Sequence, residues 1–405
     1  MANVSSSNGL EKRPKLRFPG FDEPWEEKKL DELLSPRVEK QIPSEEAPLM
    51  AFTAEGGVEP KGERYDRSYL VKSDDKLYKR TEFNDFIYSS NNLDVGSIGL
   101  NKYGTAVISD VYEIFRVKPN SSPTFMSELI QRPHNIAEIL KYRQGCLYGQ
   151  YRIYAEDFLN VSVLVPTKTE QEKVSQFFDA LDHRIEHQAG LIKALKKYKR
   201  GVVRSLLSPE DCKLKNAQWT RDTIGNLGSF IKGAPLSKAD ISKTGTPFIL
   251  YGELYTTYHE VITSVVRKTE SEVDSVYRSI VGDVLIPTSG ETPEEISTAS
   301  CVMLPGVILA GDLNIFRSSK VDGRIMSYIL NHIVNGSIAR VAQGKSIVHV
   351  QASEISKIEI SYPDPETQNR IIKLLEAISS RVELCEKELE NLSKLRSSLL
   401  QQLFI

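Results

Sequence analysis

The sequence predicts an α+β protein built as a tandem repeat with pseudo-two-fold symmetry. Two mixed α/β parts are joined by two long antiparallel coiled-coil helices. Three observations predict this. At 405 residues the chain exceeds one ordinary domain. A set of short motifs recurs in order at a near-constant offset. Each copy closes on a heptad pattern of about forty residues, the mark of a helix that wants a helical partner.

The repeat is clearest where each mixed part gives way to its helix. Pro166-Thr-Lys-Thr-Glu-Gln171 parallels Pro363-Asp-Pro-Glu-Thr-Gln368 at an offset of 197, and the same offset aligns Ala155 with Ala352, Leu195 with Leu392 and Lys199 with Arg396. Earlier in each copy the match drifts slightly. Trp25 parallels Trp219, Pro48 parallels Pro247, Asp85 to Asn91 parallels Asp283 to Ser289, and Ile114-Phe115-Arg116 parallels Ile315-Phe316-Arg317. Between these anchors the copies differ almost completely, so one scaffold carries two different surfaces.

In the mixed parts, short apolar runs bounded by Gly, Asn, Ser and Pro predict strands at Phe86–Tyr88, Ala106–Ile108, Ile114–Val117, Val284–Ile286 and Val307–Leu309. Helical patterns cover Pro123–Tyr142 and Asp322–Val341, and final strands cover Asn160–Val165 and Lys357–Tyr362. A proline stops each final strand. Thr167 and Asp364 are natural N-caps for the helices that follow, Pro365 suits a first helical position, and Glu170 makes a Thr-x-x-Glu capping box with Thr167.

The heptads of the first helix place Phe178, Ile185, Ile192, Lys199 and Leu206 on one line and Val174, Leu181, Gln188, Leu195 and Val202 on the other. The second helix repeats them as Leu375, Val382, Leu389, Arg396, Leu403 and Ile371, Ile378, Cys385, Leu392, Leu399. Each helix could simply pack on its own globular part. Forty residues, however, span about 60 Å, longer than either part needs. Pairing of the two helices with each other is the expectation, through Phe178, Leu181, Ile185, Gln188, Ile192, Leu195, Leu375, Ile378, Val382, Cys385, Leu389 and Leu392. Residues 166–207 carry 9 basic and 5 acidic side chains against 6 and 7 in 363–405, which favours that pairing.

Composition excludes several classes. No apolar run reaches a membrane-spanning length, and the opening Met-Ala-Asn-Val-Ser-Ser-Ser-Asn-Gly has neither arm of a secretory signal. Cys146, Cys212, Cys301 and Cys385 lie far apart and predict reduced thiols in a cytoplasmic protein. Ala339 to Ser346 satisfies a relaxed phosphate-loop pattern through Gly344-Lys345-Ser346, but a helix precedes it and a strand-like run follows, the reverse of the order that aims backbone N–H groups at a phosphate. His183 and His187 have a zinc-compatible spacing without a third ligand and fall outside the heptad seam. No metal site and no catalytic constellation is predicted.

A nucleic-acid-binding pattern remains. Lys61, Arg64, Tyr65, Arg67, Lys72, Tyr78, Lys79 and Arg80 interleave cations with aromatic rings in the first copy, with Ser90, Asn91 and Asn92 following a predicted strand. In the second copy Tyr251, Tyr255, Thr256, Thr257, Tyr258, Thr288, Ser289, Gly290 and Thr292 form hydroxyl-rich loops, joined by Lys232, Lys238, Gln343 and Lys345. Such side chains suit base edges and phosphates. Solvated loops are the plain alternative at any single position. The run Lys193, Lys196, Lys197, Lys199, Arg200 and Arg204 fits DNA-backbone contact as well as it fits a helix C-terminus.

The layout of mixed part, long helix, mixed part, long helix resembles the specificity subunit of type I restriction-modification enzymes over essentially the whole chain. The features that carry the resemblance are Leu16-Arg-Phe-Pro-Gly-Phe21 leading to Trp25-Glu-Glu-Lys-Lys-Leu30, then Pro166, Glu170-Gln171 and Phe177-Phe178-Asp179-Ala-Leu181-Asp182. Pro363, Gln368, Leu374-Leu375 and Leu403-Phe404 in the second copy, with Gly282-Asp283-Val-Leu-Ile-Pro-Thr-Ser-Gly290, complete it. Glu376 and Ser379 stand where Asp179 and Asp182 would recur, which predicts a different contact for the second helix.

The resemblance implies target recognition domains at residues 1–165 and 209–362, and long spacer helices at 166–208 and 363–405. Each domain would read one half of a split sequence in double-stranded DNA. The helices would set the spacer and dock two methyltransferase (modification) subunits, with motor-nuclease (restriction) subunits joining for cleavage. It further implies that this chain is not itself an enzyme and binds no cofactor, S-adenosylmethionine, ATP and Mg belonging to the partner subunits. The competing expectation from the residues alone is a non-enzymatic coiled-coil interaction protein whose paired domains bind protein or carbohydrate.

Overall fold

The computed structural model describes residues 12–53, 57–60, 76–91, 93, 97–147, 150–344 and 348–405. The chain forms two compact units, Met1–Gln188 with Glu388–Ile405, and Ala189–Lys387. Each unit is mixed helix and sheet, and the same construction appears in both.

In the first unit, Glu26–Lys29 pairs antiparallel with Ser162–Val165, the strand that leads into the first long helix. In the second, Trp219–Thr223 pairs in the same way with Glu359–Pro363, which leads into the second. A four-residue helix follows the leading strand in each case, Leu30–Leu33 or Ile224–Leu227. The chain then enters the main sheet. Its strand order in the first unit is Leu34–Pro36, Tyr112–Val117, Phe86–Ser89, Ile98–Leu100. The second unit has Gly228–Lys232, Leu313–Ser318, Asp283–Pro287, Ser300–Val302, with Val261–Ile262 added at the edge. Equivalent strands thus take equivalent places, so the duplication extends to topology.

Local chemistry explains the shared anchors. Asp85 and Asp283 each accept from the backbone three residues upstream, Glu82 N–H at 2.7 Å and Ile280 N–H at 2.9 Å. The residue before each aspartate has positive φ, Asn84 at 67° and Gly282 at 97°, a backbone that asparagine and glycine tolerate best. The arginine on each differs in origin. Arg37 holds Asp85, whereas Arg317 holds the fully buried Asp283.

The predicted helical stretches are each broken in two. Pro123–Ile130 and Pro133–Leu140 replace one helix, because Pro133 has no N–H to continue the ladder and holds Arg132 extended at φ −64° and ψ 141°. Gly323–His332 and Asn335–Val341 replace the other, and Asn335 and Gly336 are poor helix formers at the second start.

The two long helices run Lys168–Leu206 and Pro365–Leu403. In the first unit the start of one meets the end of the other: Val174 and Phe178 share a core with Leu400, Leu403 and Phe404. In the second unit Val203 and Leu207 share a core with Ile371, Ile372 and Leu375. The helices are therefore antiparallel. Charge crosses between them as Arg184 to Glu388 at 3.1 Å in the first unit and Lys196 to Glu386 at 2.6 Å in the second. Phe178, Leu181, Ile185, Gln188, Ile192, Leu195, Leu375, Ile378, Val382, Cys385, Leu389 and Leu392 are all buried or half-buried.

One glutamine ties each helix start to its domain. Gln171 accepts from Ser122 N–H at 3.0 Å and donates to the Pro166 carbonyl at 3.0 Å. Gln368 accepts from Asp322 N–H and donates to the Pro363 carbonyl, both at 2.8 Å. The capping box expected at Glu170 does not form. Arg17 Nε and Nη2 grip both Glu170 carboxylate oxygens at 2.7 Å. A buried carboxylate gains more from a two-pronged arginine than from one backbone N–H. Asp364 does cap its helix, accepting from Glu366 and Thr367 N–H at 3.1 Å each.

Candidate nucleic-acid interface

The candidate faces form where the central strand of each sheet ends. In the first unit that strand is Phe86–Ser89, followed by Ser90 and Asn91. Beside it lies a two-stranded hairpin, Gln144–Leu147 with Gln150–Arg152, and Asn91 bridges to Arg152. In the second unit Asp283–Pro287 leads to Thr288, Ser289 and Gly290. There Ser289 pairs with His349 and Gly290 with Val348, while Gln343 bridges back to His349. The repeat brings a strand end and a return segment to equivalent places.

The first face is basic and aromatic. A cleft there is lined by Lys40, Lys79, Ser90, Asn91, Asp110 and Arg152. Arg152 stacks over Tyr154 at 4.9 Å and Arg143 over Tyr151 at 5.5 Å, with both tyrosines 45% exposed. Arg152 also reaches Glu113 at 3.4 Å and Lys40 pairs with Asp110 at 2.8 Å, so the cations of this face carry internal partners as well as exposed surface. Sequence reading missed all four residues of the two cation–aromatic pairs, and Lys40. The usable signal was Arg143 and Tyr151-Arg152-Ile153-Tyr154 on either side of the dipeptide Tyr148-Gly149 in the sequence.

Several predicted contacts are spent internally. Tyr78 is buried in a cluster with Ala47 and Val107, because it faces inward on the strand Tyr78–Thr81, so its ring is not offered to a partner. Lys79 donates to the Tyr112 carbonyl at 2.7 Å and pairs with Glu113 at 2.8 Å, and Arg80 is held by Glu82 and Gln41. Ser90 is buried and its hydroxyl donates to the Val111 carbonyl at 2.8 Å. Half-buried Asn91 stays at the cleft. Lys61, Arg64, Tyr65, Arg67, Lys72, Asn92 and Lys345 lie outside the described residues.

The second face is different chemically. Ser289 is buried and donates to Asp312 at 2.5 Å, and Gly290 leaves room for Ile296, whose methyl would stand 2.6 Å from an added Cβ. The Thr288 carbonyl accepts from Val350 N–H at 3.0 Å. Thr292 caps a short helix by accepting from Glu295 N–H at 3.2 Å. Tyr251, Tyr255 and Tyr258 are half-buried, while Thr256 and Thr257 are exposed beside them. Burial raises the pKa of Tyr255, and the nearby Tyr251, Glu295 and Glu291 raise it further. The Tyr258 hydroxyl accepts from Val266 N–H at 3.1 Å. Lys232 donates to Asn314 at 2.9 Å, and Lys238 is exposed in a short 3-10 turn. Gln343 and His349 are exposed on the return segment. Hydroxyls, amides and carboxylates dominate this face.

Between each domain and its helices lies a charged cluster. Glu260 is almost enclosed, with His332 Nε2 at 2.7 Å and Lys199 Nζ at 2.8 Å. Burial pushes its carboxyl pKa up, but the His332 hydrogen bond and the Lys199 charge outweigh burial and hold it well below the usual range. Asp182, at the position of Ser379, is paired with Arg396, while Ser379 stands 3.5 Å from the Tyr328 hydroxyl. The departure noted in sequence is thus visible in contacts within each unit.

The phosphate-loop pattern at Gly344 lies between the helix Asn335–Val341 and the strand Val348–His349, without the strand-to-helix order a phosphate cradle needs. His183 and His187 are exposed. Among the described residues no group of three or more His, Cys, Asp and Glu could hold a metal, and no helix is long and apolar enough to cross a membrane.

Comparison with known proteins agrees with this architecture. The model of the type I restriction modification DNA specificity domain matches residues 216–394. A chain of Methanocaldococcus jannaschii named as a type I restriction enzyme MjaX specificity subunit is 23% identical over 358 residues, 82% of this chain and 80% of its own. The type I restriction-modification system S subunit from M. genitalium superposes with a TM-score of 0.60 at 15% identity, over 97% of this chain and 99% of that one. A chain solved in a study of complex assembly and conformational transition of the type I R-M system gives 0.56 at 16%, over 96% and 99%. Over residues 216–394 the chain matches the type I restriction modification DNA specificity domain, and over most of its length it is similar to a type I restriction enzyme specificity subunit.

Proposed function

We propose that this chain directs a type I restriction-modification complex to its DNA target. Each recognition domain, residues 1–165 and 209–362, reads one half of a bipartite sequence, and the helices at 166–208 and 363–405 set the spacer and dock two methyltransferase subunits. One observation carries the proposal. The same sheet order and the same glutamine-tied joint recur, while the strand-end faces differ completely. An asymmetric split target requires two different readers on one scaffold.

The chemistry of the faces supports the reading. A two-stranded ribbon fits the major groove, and in this reading Lys40, Arg143 and Arg152 meet phosphates or guanine edges, Lys40 and Arg152 exchanging their ion pairs with Asp110 and Glu113 for DNA. Gln343, Thr256 and Thr257 offer amide and hydroxyl groups for base edges in the second domain. In this proposal the chain works in the cytoplasm and supplies no catalytic group. S-adenosylmethionine, ATP and magnesium are held by the methyltransferase and motor-nuclease partners.

The test is co-expression with the cognate methyltransferase subunit and mapping of methylated adenines. A bipartite, asymmetric target that changes at one end when residues 30–150 are exchanged supports the reading. A single contiguous target, or methylation independent of this chain, would overturn it.

A further inference from the structure

Each long helix has one charged residue on its otherwise apolar heptad line, Lys199 in the first and Arg396 in the second, at repeat-equivalent positions. Coiled-coil seams favour leucine or isoleucine at such places, and a charge there costs desolvation. Both cations turn out to address the same part of their domains. Arg396 pairs with Glu128 on the helix Pro123–Ile130 at 2.6 Å, grips Asp182 with two nitrogens, and lies over the Phe178 ring at 5.6 Å. Lys199 lies over Tyr328 on the equivalent helix Gly323–His332 at 5.4 Å and pairs with Glu260 at 2.8 Å. Glu128 and Tyr328 occupy matching positions, since Ser122 and Asp322, six residues earlier, make the same bond to Gln171 and Gln368.

Apolar contact between a domain and a helix is tolerant of direction, and small rotations cost little. A guanidinium between two carboxylates is directional, because its fork meets them in a fixed plane. Replacing a buried charge network by apolar groups of similar size often leaves stability unchanged or higher. Retention of a cation at both equivalent places is therefore better explained by orientation than by stability.

We infer that Arg396 and Lys199 are positioning residues that fix the orientation of the first and second recognition domains on the helix pair, and thereby the spacer length the complex accepts. This rests on the DNA-specificity reading for its consequence, though not for the geometry. Arg396 acts on the first domain and Lys199 on the second, so each sets the phase of one half-site.

The test uses the full chain in complex with its methyltransferase subunits. In Arg396→Met, and separately in Lys199→Met, the bases read at both ends should be unchanged. Relative methylation of targets with a spacer one base pair longer or shorter should rise about tenfold, the loss expected for one charge-assisted network. Arg396→Lys keeps the charge without the fork and should fall between Met and wild type. Each variant should still unfold cooperatively, at a lowered midpoint in the two Met variants because a carboxylate loses its partner, and selectivity is read at a temperature at which all are folded. Unchanged spacer selectivity in a folded Arg396→Met variant would overturn the inference. Collapse of the fold would overturn it equally, in favour of a structural staple. A second readout needs no DNA: spin labels at positions 38 and 172 should give a broader distance distribution in Arg396→Met than in wild type. If the wild-type complex methylates no bipartite target, the specificity reading fails, while the label distances still decide the positioning claim.

Discussion

The joint between strand and helix and the face at the strand end make an instructive pair of regions. At the joint both copies use a glutamine with the same two backbone partners. At the face one copy presents arginine over tyrosine, and the other presents hydroxyls beside Asp312, Glu291 and Glu295. The joint solves one geometric problem twice, satisfying buried backbone groups where a strand becomes a helix. In the proposed reading the face meets DNA, and the two halves of an asymmetric target would impose two chemistries. Repetition therefore persists where backbone geometry dictates it and disappears where an external ligand does.

The sharpest way to break this symmetry is in the leading strand. Trp25 is buried against Phe125 at 5.7 Å and Phe404 at 6.3 Å, whereas Trp219 is half-buried. Trp25→Ala should cost about 3–5 kcal/mol in denaturant unfolding, and Trp219→Ala clearly less. Equal losses would contradict the packing difference.

Arg17→Met comes next. It strands the Glu170 carboxylate, only 2% exposed, and should destabilise the first unit by about 3 kcal/mol. Arg17→Met with Glu170→Leu should recover most of that loss, because both charges leave together.

Gln171→Ala and Gln368→Ala should each cost about 1–3 kcal/mol, and nearly the same as each other, since both leave two buried backbone groups unpaired. A large difference between them would show that the joints are not equivalent.

The face should behave oppositely. Tyr151→Ala and Arg152→Ala are expected to change stability by less than about 0.5 kcal/mol. Both should weaken binding of duplex DNA by the assembled complex, and Arg152→Ala should also flatten the salt dependence. Gel-shift titrations at two salt concentrations would show this. Unaltered affinity would remove the hairpin from the interface.

The smallest effect is an acid one. Backbone N–H groups and the Thr367 hydroxyl hold Asp364 down at about 2. A carboxyl whose folded pKa is depressed adds stability that is complete above its unfolded value, near 4, and is lost as pH falls toward 2. The second long helix should therefore fray at its start over that range. Thr167 caps the first helix with a hydroxyl, so the capping contact itself does not titrate there. Residue-resolved hydrogen exchange would separate the two.

Much of this was legible in the sequence. The heptads gave the helices, because a 3.5-residue period survives without tertiary context. The offset of 197 gave the duplication, and Gln171 and Gln368 stood out because both copies kept them. Glu170 misled because the competing partner, Arg17, lies 153 residues away, where local capping rules cannot see it. Tyr78, Lys79 and Arg80 matched a basic–aromatic pattern, but the strand they occupy turns the ring inward and hands the charges to Glu113 and Glu82. The Arg143–Tyr151 and Arg152–Tyr154 pairs went unseen because only the hairpin brings the first pair together.

The core around Trp25 also has a consequence in time. Leu400, Leu403 and Phe404 complete it, yet they leave the ribosome 375 to 379 residues after Trp25. At about 5–20 residues per second that is roughly 20–80 seconds during which the first domain lacks part of its interior. The second domain's core, drawn from Val203 to Leu375, has all its parts sooner after its own start. The domain made first is therefore the one finished last, and it needs shelter from aggregation while it waits.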